Sequence, residues 1–218
     1  ETGDVDEASP FRLDRFEIEG GAVTLLDASG VTRGIESLDA RLTTESLDGL
    51  LAVVGTFGAE GVQASFDISA SALTESAIQI KAELGLGVGE SLGRVSFGGT
   101  LVRAGPGAPA ASGKLQVIAP SMAKFAEGIA QALGAPAAAP AMLDQPLALD
   151  AKIEVTAEEG ALNEIALTLG ESRATGAVSA AFAEGVQVDL ALLIKRINLD
   201  QWLALSDTAR PPLKAPET

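Results

Sequence analysis

From Gln145 to Leu203 apolar and polar residues take turns along the chain. Leu147, Leu149, Ala151, Ile153, Val155 and Ala157 alternate with polar or small residues, and Ile165, Leu167 and Leu169 repeat the pattern. Ala174, Gly176, Val178, Ala180 and Phe182 form a third run, and Val186, Val188, Leu190, Leu192 and Ile194 a fourth. A period of two puts each set on one face of a pleated strand. The joints between runs are short and carry glycine: Glu158-Glu159-Gly160, Gly170-Glu171-Ser172 and Ala183-Glu184-Gly185. Glycine tolerates the positive φ that tight hairpins require. The pattern predicts an antiparallel meander with one apolar and one polar face.

The N-terminal half reads the same way. Phe11, Leu13, Phe16 and Ile18 alternate with a change of phase at Asp14-Arg15, which predicts a bulge. Gly20-Gly21 reads as a turn before Val23 and Leu25, and Ser29-Gly30 as another before Ile35, Leu38, Ala40 and Leu42. Leu51, Val53 and Phe57 lead to a turn at Ala59-Glu60-Gly61. Val62, Ala64, Phe66, Ile68 and Ala70 follow, then Ile78, Ile80, Ala82 and Leu84. A glycine-rich bend ends at Gly93, and Val95, Phe97 and Leu101 lead into a Pro/Gly/Ala loop over 104–113. Leu115, Val117 and Ala119 predict one short strand. The segments Gly55–Gln63 and Ala180–Gln187 resemble each other: each holds Phe, an Ala-Glu-Gly turn and then Val-Gln. Repeated hairpins predict a sheet that grows by adding units.

Between the two strand blocks the period changes. Met122, Phe125, Ile129 and Leu133 follow spacings of three and four, with Ser121 as N-cap and Gly134 just past the end. This predicts a helix from Ser121 to Leu133, then a linker-like loop over 134–141. The expected organisation is a single β domain over 10–207. It comprises a first strand block (10–119), the helix (120–134) and a second strand block (145–203). Residues 1–9 read as a disordered N-terminus and 208–218 as a disordered tail. The opening Glu1-Thr2-Gly3 reads as a cloning scar, which would make the chain an excised piece of a longer protein.

Composition narrows the chemistry. The 218 residues hold 15 basic and 30 acidic side chains, a formal charge of -15, which disfavours nucleic acid and anionic membrane surfaces as partners. There is no cysteine, histidine or tyrosine, so disulfides, thiolate metal sites and most general bases are absent. Without His or Cys only oxygen ligation of a hard cation remains, and Asp4, Asp6 and Glu7 are poorly spaced for it. No metal and no cofactor are expected. Hydrophobic residues make up 47% of the chain but aromatics only 4%. No run approaches the roughly 20 apolar residues of a membrane helix.

Two short motifs mimic catalytic ones. Gly89-Glu90-Ser91-Leu92-Gly93 has the spacing of a nucleophile elbow, which needs a histidine that the chain lacks. Ser121-Met122-Ala123-Lys124 has the spacing of a Ser/Lys nucleophile pair, but its partner motifs are missing and helix capping accounts for the serine. The chain is therefore read as a non-enzyme. A sheet of about a dozen long strands needs cover for its apolar face, and a helix of about thirteen residues spans only about 20 Å. The sheet either closes on itself or leaves an apolar channel.

The segments from Phe11 to Ser69 and from Thr175 to Leu203 resemble the AsmA family. The likeness rests on the Gly-bearing step Glu19-Gly20-Gly21-Ala22-Val23, on Ser46-Leu47-Asp48-Gly49 and on the closing Leu199-Asp200-Gln201-Trp202-Leu203. The resemblance implies a periplasmic module of a Gram-negative envelope whose parent is anchored in the inner membrane. It also implies a bridge-like lipid transfer fold, a curved β groove with one capping helix that holds phospholipid or another acyl lipid for transport between the inner and outer membranes or for homeostasis of the outer membrane. The expected lipid-binding stripe is Val62, Ala64, Phe66, Ile68, Ile78, Ile80, Leu84, Leu149, Ile153, Val155, Ile165, Leu167, Val186, Val188, Leu190 and Leu192. The rival expectation is a scaffold or assembly module of an envelope protein, with a closed core, no ligand and partner proteins bound at a sheet edge.

Overall fold

The computed structural model describes residues 15–26, 32–44, 49–71, 77–87, 89–102, 110–156, 158–181 and 187–197. The expected features at Phe11–Asp14, Ser29-Gly30, Ala183–Gly185 and Trp202 lie outside them, as do the two terminal segments. The described chain forms an 11-stranded antiparallel sheet in which every strand pairs only with its neighbours in sequence. It does not close into a barrel. The strands are β1 (Arg15–Leu26), β2 (Thr32–Thr44), β3 (Leu51–Ala59), β4 (Val62–Ala70), β5 (Ala77–Leu86), β6 (Gly93–Val102) and β7 (Ala110–Ala119). Helix α1 (Met122–Ala132) follows, then a single 3-10 turn at Ala141–Leu143, then β8 (Leu147–Val155), β9 (Glu159–Leu169), β10 (Ser172–Ala181) and β11 (Gln187–Arg196).

Period-two patterning sets the register. The β3–β4 hairpin turns through Glu60 (φ 49°) and Gly61 (φ 81°), the paired positive φ values of a type I′ turn. That turn puts Phe57 opposite Ala64 and Gly55 opposite Phe66, so apolar meets apolar on one face. Three strands break the alternation and still keep their apolar residues on that face. In β1 the step from Ile18 to Gly21 spans three residues while the partner positions, Ala40 and Leu38, span two. β2 does the same between Ile35 and Leu38, with Ser37 at φ 50°. In β9 Leu162 and Ile165 face Val178 and Gly176, with Glu164 at φ 51° as the extra residue. Each is a bulge that restores phase.

These bulges correct one expectation. Gly20-Gly21 is not a turn: β1 runs through it, with Gly20 at φ 58° and its N–H donating to Asp39 Oδ1 at 2.8 Å. A glycine pair signals a turn only when the chain reverses, and here β2 offers a ladder on both sides of the pair. The Pro/Gly/Ala loop is likewise shorter than its composition suggests, because Ala110–Gly113 already belongs to β7. Gly99 and Gly113 stand opposite each other there, and a Cβ on either would lie 2.7 Å from the Phe97 ring. The ring takes the space that two side chains would need. Gly160 is also a strand residue, opposite Val155 and Ala180. The turn before it is made by Thr156, whose N–H donates to Glu159 O at 2.8 Å.

Helix α1 forms where expected. Ser121 Oγ accepts from Lys124 N at 3.1 Å. Past Leu133, Gly134 takes φ 66°, its N–H donates to Gln131 O, and Ala135 N–H donates to Ala130 O. That is the Schellman arrangement, which satisfies two carbonyls at the helix end. The buried side is Ala123, Phe125 and Gly128. Phe125 lies against Gly93, where a Cβ would come within 2.5 Å of its ring, and Gly128 admits Leu92 in the same way at 2.8 Å. Gly93→Ala is therefore expected to lower stability by about 1–3 kcal/mol, the usual cost of overpacking. The loss should shrink when Phe125→Leu is added, and urea unfolding midpoints of the two single variants and the double variant check it.

Candidate functional site: an apolar sheet face with a helix across one end

Cross-strand register joins the expected stripe into one surface. Ala64 faces Leu86, Phe66 faces Leu84 and Ile68 faces Ala82. Val117 faces Leu149, Leu149 faces Leu167, and Ile153 faces Leu162. Gly176 links Ile165 to Leu192, and Val178 links Leu162 to Leu190. Every residue of the stripe except Val186, which lies outside the described residues, belongs to this face.

The face is not uniform. Helix α1 crosses one end of it, and there Val62, Ala64, Leu86, Val117, Ala119, Phe125 and Leu147 form the buried core, with Leu84, Leu149 and Leu167 packed around them. Phe66, Ile68, Ile78, Ile80, Ile153, Val155 and Ile165 lie further along the strands, outside that cluster. Among them Ile78 and Ile165 are buried while Ile68 is 38% exposed. Val188, Leu190 and Leu192 sit on the outermost strand, and Leu190 is 63% exposed. The stripe thus divides into a covered end, a partly buried middle and a bare edge.

At the covered end the packing is incomplete. A cavity of about 370 Å³ lies between the C-terminal half of α1 and the sheet. Its walls are Phe57, Ala59, Val62 and Ala64 of β3 and β4, Leu84, Leu86 and Val95 of β5 and β6, Ile129, Ala132 and Leu133 of the helix end, and Gly34 and Ile35 of β2. Among the described residues no wall residue is charged or polar. Sequence reasoning named Val62, Ala64 and Leu84 but missed the helical wall. Ile129 and Leu133, a full turn apart, were the signal: one face of the helix serves both core and cavity.

Three contacts hold α1 in place over this space. Met122 N–H donates to the Gln145 carbonyl at 2.8 Å, next to β8. Gln131 Nε2 donates to Glu60 O at 2.8 Å, in the β3–β4 turn. Lys124 Nζ meets Glu90 Oε1 at 3.1 Å, in the bend between β5 and β6. The opposite face of the sheet is polar and carries cross-strand pairs such as Lys114–Asp150 and Arg94–Glu83, each at 3.2 Å. Asp150 is held below the usual aspartate range by hydrogen bonds from Gln116 and then Lys114.

The two catalytic look-alikes meet at the Lys124–Glu90 contact. A Ser/Lys pair needs a lysine that gives up its proton near neutrality. Hydrogen bonding to the Glu90 carboxylate does the opposite and raises the Lys124 pKa above its ordinary 10.5. Ser121 Oγ is engaged in capping, and Ser91 is exposed. Among the described residues no group of three or more acidic side chains is placed to hold a metal, and no helix is long and apolar enough to cross a membrane. No protein family, curated protein or solved structure matches the chain.

A lysine with a raised folded pKa contributes stability that is present below its unfolded pKa and lost as pH rises through the folded one. Glu90→Gln should therefore bring the Lys124 titration midpoint back down toward 10.5, as NMR of the lysine side chain would record. The change in stability should be confined to pH values below that titration and fade above it.

Proposed function

We propose that the chain is a non-enzymatic lipid-handling module that receives an acyl chain on the apolar face of its sheet, entering at the cavity beneath α1. The observation that carries this reading is the cavity itself. Its described wall is made of apolar side chains and glycine, and its volume of about 370 Å³ is within the roughly 300–1,000 Å³ of small-molecule sites. It belongs to the same face as the partly buried middle of the sheet, so a tail longer than the cavity has apolar side chains to follow. Burial of each CH₂ contributes about 0.8 kcal/mol, so a tail can be held without a polar contact. With no cation in the wall, binding is expected to discriminate poorly between headgroups. The Lys124–Glu90 pairing supports the non-enzymatic half of the reading. An AsmA-like role in phospholipid transport across a periplasm, with the parent protein in the inner membrane, is the setting that the sequence resemblance suggests.

A second reading is a scaffold that binds no lipid and joins partner proteins through a sheet edge. The edges of β1 and β11, which no other described strand pairs with, favour it. Titration with a fluorescent long-chain fatty acid separates the two. The unaltered chain should bind it, and Ile129→Trp, which fills the cavity from the helix side, should weaken binding at least about tenfold while thermal unfolding stays cooperative. No binding by the unaltered chain, or equal binding by Ile129→Trp, would remove the acyl-chain reading in favour of the scaffold.

A further inference from the structure

The two edges of the sheet are built differently. β1 carries a mid-strand bulge with Gly20 at φ 58°, and a charged side chain, Glu17, that pairs with both Arg15 of its own strand and Arg41 of β2. Bulges and charges are the devices that keep an edge strand from adding another strand. β11 is less guarded: over Gln187–Ile194 its pairing with β10 is regular and Asp189 is its one charged residue. Its single register shift lies at the end, between Ile194 and Arg196. Its apolar side chains are bare: Leu190 is 63% and Leu193 65% exposed, although they point to opposite faces. Among the described residues, no strand pairs with the outer edge of β11.

We infer that β11 is a self-recognition edge, on which a second copy of this chain docks its own β11 antiparallel about a two-fold axis at Leu192. The strand's charges select both the partner and the register. Asp189 and Lys195 make no ion pair with the described residues, and each lies three residues from Leu192. Centred on Leu192, an antiparallel self-pair sets Asp189 of each copy opposite Lys195 of the other, and Leu190 opposite Ile194. A two-residue slip either way puts Asp189 opposite Leu193 or Ile197 and leaves the charges unmatched. An odd slip turns apolar side chains onto polar ones. Opposite charges directly across an antiparallel pair are favourable and like charges unfavourable. A two-fold contact is closed, so it stops at two copies, whereas docking β11 on a β1 edge would propagate without end. The pairing would join the apolar faces of two sheets into one.

Charge reversal tests this on the whole chain by analytical ultracentrifugation. The unaltered protein should show a concentration-dependent dimer. Asp189→Lys and Lys195→Asp should each weaken it about tenfold or more, because each places like charges opposite each other twice. Mixed one to one, the two variants should dimerise again, since every pair then matches. That rescue also shows that both variants are folded. Because the chain has no cysteine, Leu192→Cys should yield a covalent dimer on mild oxidation, its two thiols meeting on the axis. A wild type that stays monomeric, whether its outer edge is bare or covered by its own chain, overturns the inference. So do single variants that dimerise as the wild type does, or a mixture that fails to recover.

Discussion

An antiparallel ladder in which each strand pairs only with its sequence neighbours allows little error in phase. One residue too many turns every later side chain of that strand to the wrong face. Here the constraint runs across eleven strands, with no second sheet among the described residues to bury a mistake. The extra residues in β1, β2 and β9 are each absorbed at a backbone position with positive φ, Gly20, Ser37 and Glu164. Ser37 and Glu164 are not glycine, and a left-handed conformation costs such residues about 1–2 kcal/mol. Continuity of the apolar face outweighs that local cost.

Given such a face, the helix is a partial answer to it. α1 is eleven residues long and crosses the end of the strands where the β3–β4 turn, the β5–β6 bend and the start of β8 come together. Glycines make its seat: Gly93 and Gly128 bring backbone and ring close. Beyond Phe125 the contact loosens, and the space under Ile129, Ala132 and Leu133 stays open. One element therefore borders both the buried core and the apolar cavity.

Much of this was legible in the residues. Alternation located β3 to β6 and β8 to β10, and the Ser121 and Gly134 signals bounded α1 to within a residue, because capping depends on side chains one can read. The stripe lies on one face because period two is local. What composition obscured was the role of glycine. Gly20-Gly21, Gly113 and Gly160 read as punctuation and proved to be strand, since nothing local says whether a glycine frees the backbone or makes room for a ring such as Phe97. The cavity was not legible for a different reason. It depends on the height at which Phe125 rests on Gly93, a distance between segments about thirty residues apart in the chain.

The strict neighbour-to-neighbour order has a kinetic consequence. A sheet in which every hairpin meets only the hairpins beside it can form by extension from any one of them, as a repeat array does. Closing each hairpin needs only a short loop, so the entropy of each step is small. The exception is the β7–β8 junction, where α1 and the 3-10 turn lie between the paired strands. Ordering that insert is the slowest step such a route contains, and it joins two blocks that can each zip up alone. The outer strands, paired on one side only among the described residues, would open first in the native state. The molecule is then most dynamic where its apolar side chains are least covered, and most rigid beneath the helix.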